Sequence, residues 1–153
     1  MTSKNKDAQS TATELLKKDH EHVKKAFREF KELGPQAYKS KKSLADKICK
    51  ELTVHTQIEE EIFYPAFRKS VKDAKGLVNE AQVEHDSAKE LISQIEKMEG
   101  DDELFDAKVT VLSEYVNHHI KEEEEEMFPA IERADVDLSE LAEQLDHRKQ
   151  ELA

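Results

Sequence analysis

The sequence predicts an all-α protein, an antiparallel up-down four-helix bundle followed by a short fifth helix at the C-terminus. Charged residues make up 39% of the 153 residues, whereas glycine and proline occur only three times each. This composition is typical of long, exposed helices and not of a strand-rich fold with many turns. Four long stretches carry apolar residues at helical spacing, and short links between such helices favour antiparallel neighbours.

Capping and breaking residues set the helix boundaries. The first helix is expected to begin near Thr11, which has the form of a capping box with Glu14, and to end at Gly34-Pro35. Pro65 and Pro129 lie inside the second and fourth helices and predict a kink or a brief break there. The later helices are expected over about residues 43–71, 77–99 and 102–133, and then from Asp137 onward.

Three regions follow from these boundaries. Residues 1–10 are expected to be a disordered tail, residues 11–133 the bundle, and residues 134–153 an amphipathic C-terminal helix packed on or beside it. A single cysteine, Cys49, excludes an internal disulfide framework and a cysteine-based zinc site, and its helical context indicates a packing role.

The charge of the chain argues against two classes of partner. Its formal net charge is −11, whereas nucleic acid and anionic membranes require a basic surface. No stretch approaches the roughly 20 apolar residues needed to cross a bilayer, and the polar N-terminal residues lack the apolar run of a signal peptide. A cytoplasmic location is therefore expected, and the sequence identifies no protein partner.

The second half of the sequence repeats the first. His55 precedes Pro65 by ten residues, and His119 precedes Pro129 by ten. Aligning the two prolines pairs Glu59 with Glu123, Glu60 with Glu124, and Phe63 with Met127. Each half also has an earlier histidine, 35 or 34 residues before the later one: His20 and His85.

The repeated polar residues fall on the apolar faces of their helices. His55 and Glu59 are four residues apart, so both project from one helix face, as do His119 and Glu123. At a rise of about 1.5 Å per residue, the four histidines can occupy one layer of the bundle. Six polar groups in a core are costly without partners, so these groups are expected to bind something or one another.

Four imidazoles and two carboxylates in one layer are a suitable ligand set for two transition-metal ions. Imidazole with carboxylate suits iron or manganese, no thiolate is present to favour zinc, and a glutamate can bridge two cations. The alternative is that the histidines lie at the edge of the core and are satisfied by neighbouring glutamates. The metal interpretation is favoured because the motif occurs twice and because the four histidines can occupy one layer.

These motifs resemble the hemerythrin-like (HHE) cation-binding domain over about residues 11–133. The resemblance is carried by Asp19-His20, by His55 through Glu60, by Glu84-His85, by His119 through Glu124, and by the Phe-Tyr-Pro and Met-Phe-Pro endings. It implies a non-heme di-iron centre in a four-helix bundle, with two bridging glutamates and an oxo or hydroxo bridge. The implied ligands are His20, His55, Glu59, His85, His119 and Glu123.

Two positions depart from the pattern of oxygen-carrying hemerythrins. Lys89 stands where those proteins have a second histidine on the third helix, and its ammonium group is expected to point away from the cations. Their last carboxylate lies five residues after its histidine, a spacing that would select His118 as the ligand. The repeat favours His119.

Other candidate residues have weaker support. His22 and His147 are expected at the surface, and so are Glu60, Glu122 and Glu124 through Glu126, for which metal uptake is the alternative role. Tyr115 lies one turn before His119. It is a candidate donor behind the ligands or an extra ligand, with core packing as the competing role.

The sequence favours redox chemistry on small oxygen species, such as decomposition of hydrogen peroxide or a reaction with O2. Without the histidine that Lys89 replaces, both irons would keep an open position. The runner-up is reversible binding or sensing of O2 or NO without turnover, and the third class is iron storage or handling. In each case the expected partners are small molecules.

Overall fold

The computed structural model describes residues 10–153 and is helical along nearly all of that range. The α-helices are α1 Ala12–Glu32, α2 Tyr38–Ile58, α3 Tyr64–Ser70, α4 Lys75–Lys97, α5 Phe105–Glu122, α6 Phe128–Glu132 and α7 Leu138–Leu152. No strand occurs among the described residues, so the all-α fold class is confirmed. The predicted tail lies outside the described residues except for Ser10.

The observed helix ends agree best with the predicted ones where a capping interaction is present. The predicted capping box of α1 is formed, since the Thr11 hydroxyl accepts from the Glu14 amide and the Glu14 carboxylate accepts from the Thr11 amide. The start of α2 was predicted too late: the helix begins at Tyr38 instead of about residue 43. The buried Lys41 is fixed by Asp106 and by the Pro35 carbonyl, and this long-range pairing explains the earlier start.

Each internal proline is preceded by one turn of π-helix instead of a break. These turns span Glu59–Phe63, between α2 and α3, and Glu123–Met127, between α5 and α6. The wider turn accommodates a residue that lacks the N–H required to continue the α-helical pattern. Both π turns begin at a glutamate of the predicted metal layer.

The core consists of two apolar clusters with that layer between them. One cluster includes Val23, Phe27, Ile48, Cys49, Leu52, Ile92, Leu112 and Val116. The other includes Leu16, Ile58, Phe63, Phe67, Met127, Phe128, Ile131 and Leu145. Along α1, His20 lies between Leu16 of the second cluster and Val23 of the first, and along α2 His55 lies between Leu52 and Ile58. The polar residues therefore divide the core.

The C-terminal helix α7 packs against α1, α2 and the first π turn. Lys149 of α7 forms an ion pair with Asp19 at 2.5 Å, and Arg148 forms one with Glu61 at 2.7 Å. Within residues 10–153, no helix combines the length and the apolar character that crossing a bilayer requires.

A single methyl group at Gly100 is expected to destabilise the fold. A Cβ there would overlap the backbone carbonyl of Tyr38, which is the first residue of α2. Gly100→Ala should lower the free energy of unfolding by about 1–3 kcal/mol, because the overlap must be relieved by backbone movement. Thermal unfolding of both proteins measures this. Gly76→Ala is the control, since a Cβ at Gly76 meets nothing within 4 Å, and equal effects of the two substitutions would contradict the account.

Candidate metal centre

The six predicted ligands meet in the layer between the two apolar clusters, and all six are buried. Their donor atoms form two groups, in each of which the atoms lie within 4.8 Å of one another. One group is His20, His55, Glu59 and Glu123, and the other is Glu59, His85, His119 and Glu123. Each group thus takes one histidine pair, and both groups contain the two glutamates.

Each glutamate directs one oxygen toward each histidine pair. For Glu59, Oε1 lies 3.0 Å from His85 Nε2 and Oε2 lies 3.2 Å from His55 Nε2. For Glu123, Oε1 lies 3.0 Å from His20 Nε2 and Oε2 lies 3.1 Å from His119 Nε2. This is the arrangement that two carboxylates require in order to bridge two cations.

The spacing of the donor atoms fits metal coordination. Neighbouring ligand atoms around an ion at about 2.1 Å lie about 3 Å apart, which matches the separations of 3.0–3.2 Å across these contacts. In addition, the buried atoms His55 Nε2 and Glu59 Oε2 have no hydrogen-bond partner in the described structure. Although they form an ion-pair contact at 3.2 Å, their orientation does not satisfy a hydrogen bond. A cation would satisfy both atoms.

Each of the four histidines has a carboxylate at its outer nitrogen. The Nδ1 contacts are His20–Glu124 at 2.7 Å, His55–Asp19 at 2.9 Å, His85–Glu60 at 2.7 Å and His119–Glu84 at 2.6 Å. A carboxylate only accepts, so each contact places a proton on Nδ1. When Nε2 gives up its own proton to make way for a cation, its lone pair is directed into the layer. The sequence prediction that Glu60 and Glu124 form a solvated face is therefore wrong. The matching positions of Glu60 and Glu124 in the repeat could have indicated that both contact a site histidine.

Tyr64 is a site residue that the sequence reasoning missed. Its hydroxyl oxygen lies 3.1 Å from Nε2 of both His85 and His119. Its single proton is donated to Glu123 Oε2 at 2.7 Å, and Glu59 Oε1 lies 3.2 Å away. Residues five apart are linked in a π turn, so the first π turn carries Tyr64 over Glu59. The repeat places Phe128 at the equivalent position, where its ring stacks on His20. Only one of the two groups therefore has a phenol oxygen.

The other sequence candidates lie outside the layer. His118 is largely exposed whereas His119 is buried, so His119 is the residue that joins the group. His22 and His147 are exposed, as expected. Tyr115 is 47% exposed and makes no hydrogen bond to the six residues within the described chain. The Tyr115 side chain therefore lies at the surface of the bundle and not in the layer.

Lys89 also lies outside the layer. Its ammonium group is 2.8 Å from the Glu60 carboxylate and is partly exposed, so it points away from the donor atoms as expected.

A cavity of about 770 Å³ connects the surface with the layer. Exposed residues such as Lys50 and Tyr115 lie on its wall, and so do all four site histidines. Apolar side chains also line the cavity, among them Val23, Leu52, Ala88, Val116 and Ile120. Small molecules therefore have a path to the donor atoms.

The charges in the layer stabilise one another. Burial acts to lower the pKa of His55, but the Glu59 charge and the hydrogen bond to Asp19 outweigh it and raise that pKa to about 10. For His119, burial is again outweighed, chiefly by the charge of Glu123, and its pKa is raised well above the usual value. Burial acts to raise the pKa of Glu59, but the facing histidines hold it well below its usual value.

Comparison with known proteins identifies the family. The family model described as "Hemerythrin HHE cation binding domain" matches residues 11–131. The chain belongs to this family, and the domain binds metal cations.

Two individual proteins are similar to the chain. One is the crystal structure of a hemerythrin HHE cation binding domain-containing protein, an Rv2633c homolog from Mycobacterium kansasii. It has a TM-score of 0.79 and 25% identity, and the match covers 94% of this chain and 87% of that one. The other is a protein from Nostoc sp. (strain PCC 7120) named "DNA nickase", 29% identical over 119 residues. That match covers 77% of this chain but only 32% of the relative, so the chain spans about a third of its length.

The metal-free protein should be most stable in mildly acidic solution. Histidines with a raised pKa contribute stability that is complete below their unfolded value of 6.5 and is lost as the pH rises toward about 10 for His55. Glutamates with a lowered pKa contribute stability that is present above 4.5 and is lost as the pH falls. The melting temperature of metal-free protein should therefore fall on both sides of the window from 4.5 to 6.5.

Circular dichroism melting curves across this pH range provide the measurement. Metal-loaded protein is the control, because bound cations hold the imidazoles deprotonated and should reduce the loss on the alkaline side. A melting temperature of the metal-free protein that is constant or rises between neutral pH and pH 10 would show that these ion pairs do not stabilise the fold.

Proposed function

We propose that the two donor groups hold two iron ions, and that this centre decomposes hydrogen peroxide or reacts with related small oxygen species. The proposal is supported chiefly by the two glutamates that each direct one oxygen to each histidine pair. The metal-binding family supports a cation at this place, and the donor set of imidazole and carboxylate suits iron or manganese. Two adjacent iron ions, when bound, can accept and return electrons without an organic cofactor.

Peroxide decomposition requires no reactant other than the peroxide itself. In this reaction two molecules of H2O2 give two of water and one of O2, so one peroxide is reduced while the other is oxidised. No external reductant is therefore needed. The cavity that reaches all four histidines is large enough for both substrate and product.

The chain also supplies a proton-holding group beside the donor atoms. Burial, followed by the charges of Glu123 and Glu59, raises the pKa of the Tyr64 hydroxyl well above its usual value. The hydroxyl therefore keeps its proton in the metal-free layer, 2.7 Å from an oxygen of Glu123. Cations bound in the layer would lower that pKa, so the hydroxyl could then deliver a proton to an oxygen species beside it. General acid catalysis of this kind commonly contributes about 10²–10⁴ in rate.

Reversible binding of O2 or NO is the second candidate, and Tyr64 is also the observation that favours it. If its hydroxyl serves as a donor, the His85–His119 group has five protein donors and the His20–His55 group has four. An ion held by the second group would then have fewer protein donors and more room for one diatomic molecule. Iron storage or handling is the third class.

Cleavage of DNA is not part of this proposal. The Nostoc protein named for that activity is matched over only 32% of its length, and the formal net charge of −11 on this chain opposes binding to a polyanion.

Iron content and ligand identity can be tested together. Protein isolated aerobically from iron-replete medium should contain about two irons per chain and absorb in the near-ultraviolet as an oxo-bridged ferric pair. His119→Ala should lose iron, because His119 lies in the layer, and the neighbouring His118→Ala should retain it. Metal analysis that finds one zinc, or iron lost from His118→Ala alone, would contradict the assignment.

Turnover of peroxide separates the two leading candidates. We expect the iron-loaded protein to release O2 from hydrogen peroxide, measured with an oxygen electrode, and His119→Ala to lose this activity together with its iron. A protein that instead forms a long-lived complex with O2 or NO after reduction, and leaves peroxide unchanged, would favour reversible binding.

Tyr64→Phe tests the role of the hydroxyl. This substitution gives both halves of the repeat a phenylalanine, since Phe128 occupies the equivalent position. If the hydroxyl delivers a proton, peroxide turnover should fall by about 10²-fold or more with iron content unchanged. If the hydroxyl is instead a ligand to ferric iron, the variant should lose visible absorption. Unchanged turnover and an unchanged spectrum would exclude both roles.

A further inference from the structure

A second cluster of potential ligands lies on the outer side of His119. Glu84 uses its two oxygens on different neighbours: Oε1 is 2.6 Å from His119 Nδ1, and Oε2 is 3.5 Å from His118 Nε2. His118 Nε2 is also 3.1 Å from Glu122 Oε1, one turn along the same helix. The donor atoms of Glu84, His118 and Glu122 lie within 4.8 Å of one another.

Of the three other carboxylates that contact a site histidine at Nδ1, which with Glu84 form an outer ring, two are neutralised by lysine. Asp19, which supports His55, forms an ion pair with Lys149 at 2.5 Å. Glu60, which supports His85, forms one with Lys89 at 2.8 Å. Across the part of the chain that the structure describes, neither Glu84 nor Glu122 forms an ion pair with a lysine or an arginine. Two carboxylates and one imidazole converge here instead.

We propose that Glu84, His118 and Glu122 bind a divalent transition-metal ion, separate from the two held in the layer. One imidazole and two carboxylates suit Mn²⁺, Fe²⁺ or Zn²⁺, and the exposed position leaves room for water to complete the coordination. The ion supplies the positive charge that Lys149 and Lys89 supply at the equivalent carboxylates.

This outer site has no counterpart in the first half of the repeat. The alignment that pairs His119 with His55 pairs His118 with Val54 and Glu122 with Ile58, and both of those residues are apolar. The site is therefore not a copy of the bridged centre. Glu84 links it to that centre, because it accepts from His119 with its other oxygen.

The test is a Mn²⁺ titration of the iron-loaded protein, in which the electron paramagnetic resonance signal of free Mn²⁺ measures binding. We expect one Mn²⁺ per chain in addition to the iron. His118→Ala and Glu122→Gln should each weaken binding at least tenfold. His118→Lys should abolish it, because a fixed ammonium group then takes the place of the ion.

His22→Ala is the matched control. His22 is also an exposed histidine, with Nε2 2.9 Å from Glu51, but it has only that one carboxylate, so its loss should leave binding unchanged. Iron content is measured in every variant. The proposal is overturned if the parent protein binds no additional Mn²⁺, if binding survives His118→Ala and Glu122→Gln, or if His22→Ala weakens it equally. Loss of iron from His118→Ala would also overturn it, since His118 would then belong to the centre.

Discussion

Two carboxylates buried in the middle of the core constrain the rest of this structure. Glu59 and Glu123 have no exposed surface and lie between two apolar clusters. An unpaired carboxylate in such a place costs several kcal/mol, so the fold must bring compensating groups to both. The four histidines do this from four different helices, and each is in turn held by an outer carboxylate. The bundle geometry, the helix levels and the outer acidic ring are consequences of that requirement.

The repeat explains why the ring is nearly symmetric, and the departures from it indicate where the two halves differ in chemistry. Tyr64 and Phe128 occupy equivalent places, but only the tyrosine brings a hydroxyl to the donor atoms. Asp19 forms an ion pair with Lys149. Glu84, which occupies the equivalent position in the repeat, instead lies beside His118 and Glu122. A duplicated scaffold thus provides two similar positions, and single substitutions in either half make them unequal.

Much of this could be predicted because helical spacing and the repeat are local signals. The capping box at Thr11 follows from Glu14 three residues later. In the layer, two His–Glu pairs follow from positions four apart on apolar faces, and the two earlier histidines follow from the repeat. The role of Tyr64 could not be predicted in this way, because a spacing argument assumes the α-helical period and the π turn before Pro65 changes it. The start of α2 at Tyr38 depends on contacts of Lys41 with residues far along the chain, which periodicity does not contain.

The charge around the layer bears on the choice between the leading functions. Six carboxylates surround the layer: two lie among the donor atoms, and four contact the outer nitrogens of the histidines. They belong to Glu59, Glu123, Asp19, Glu60, Glu84 and Glu124. Lysines neutralise two of the six. Carboxylates behind histidines make the imidazoles more basic, and a negative environment stabilises the more highly charged of two oxidation states. If the layer holds the two iron ions that we propose, these residues would favour ferric over ferrous iron. An oxygen carrier must rest in the ferrous state, whereas decomposition of peroxide can start from the ferric state, so the outer ring would then favour the proposed turnover over carriage.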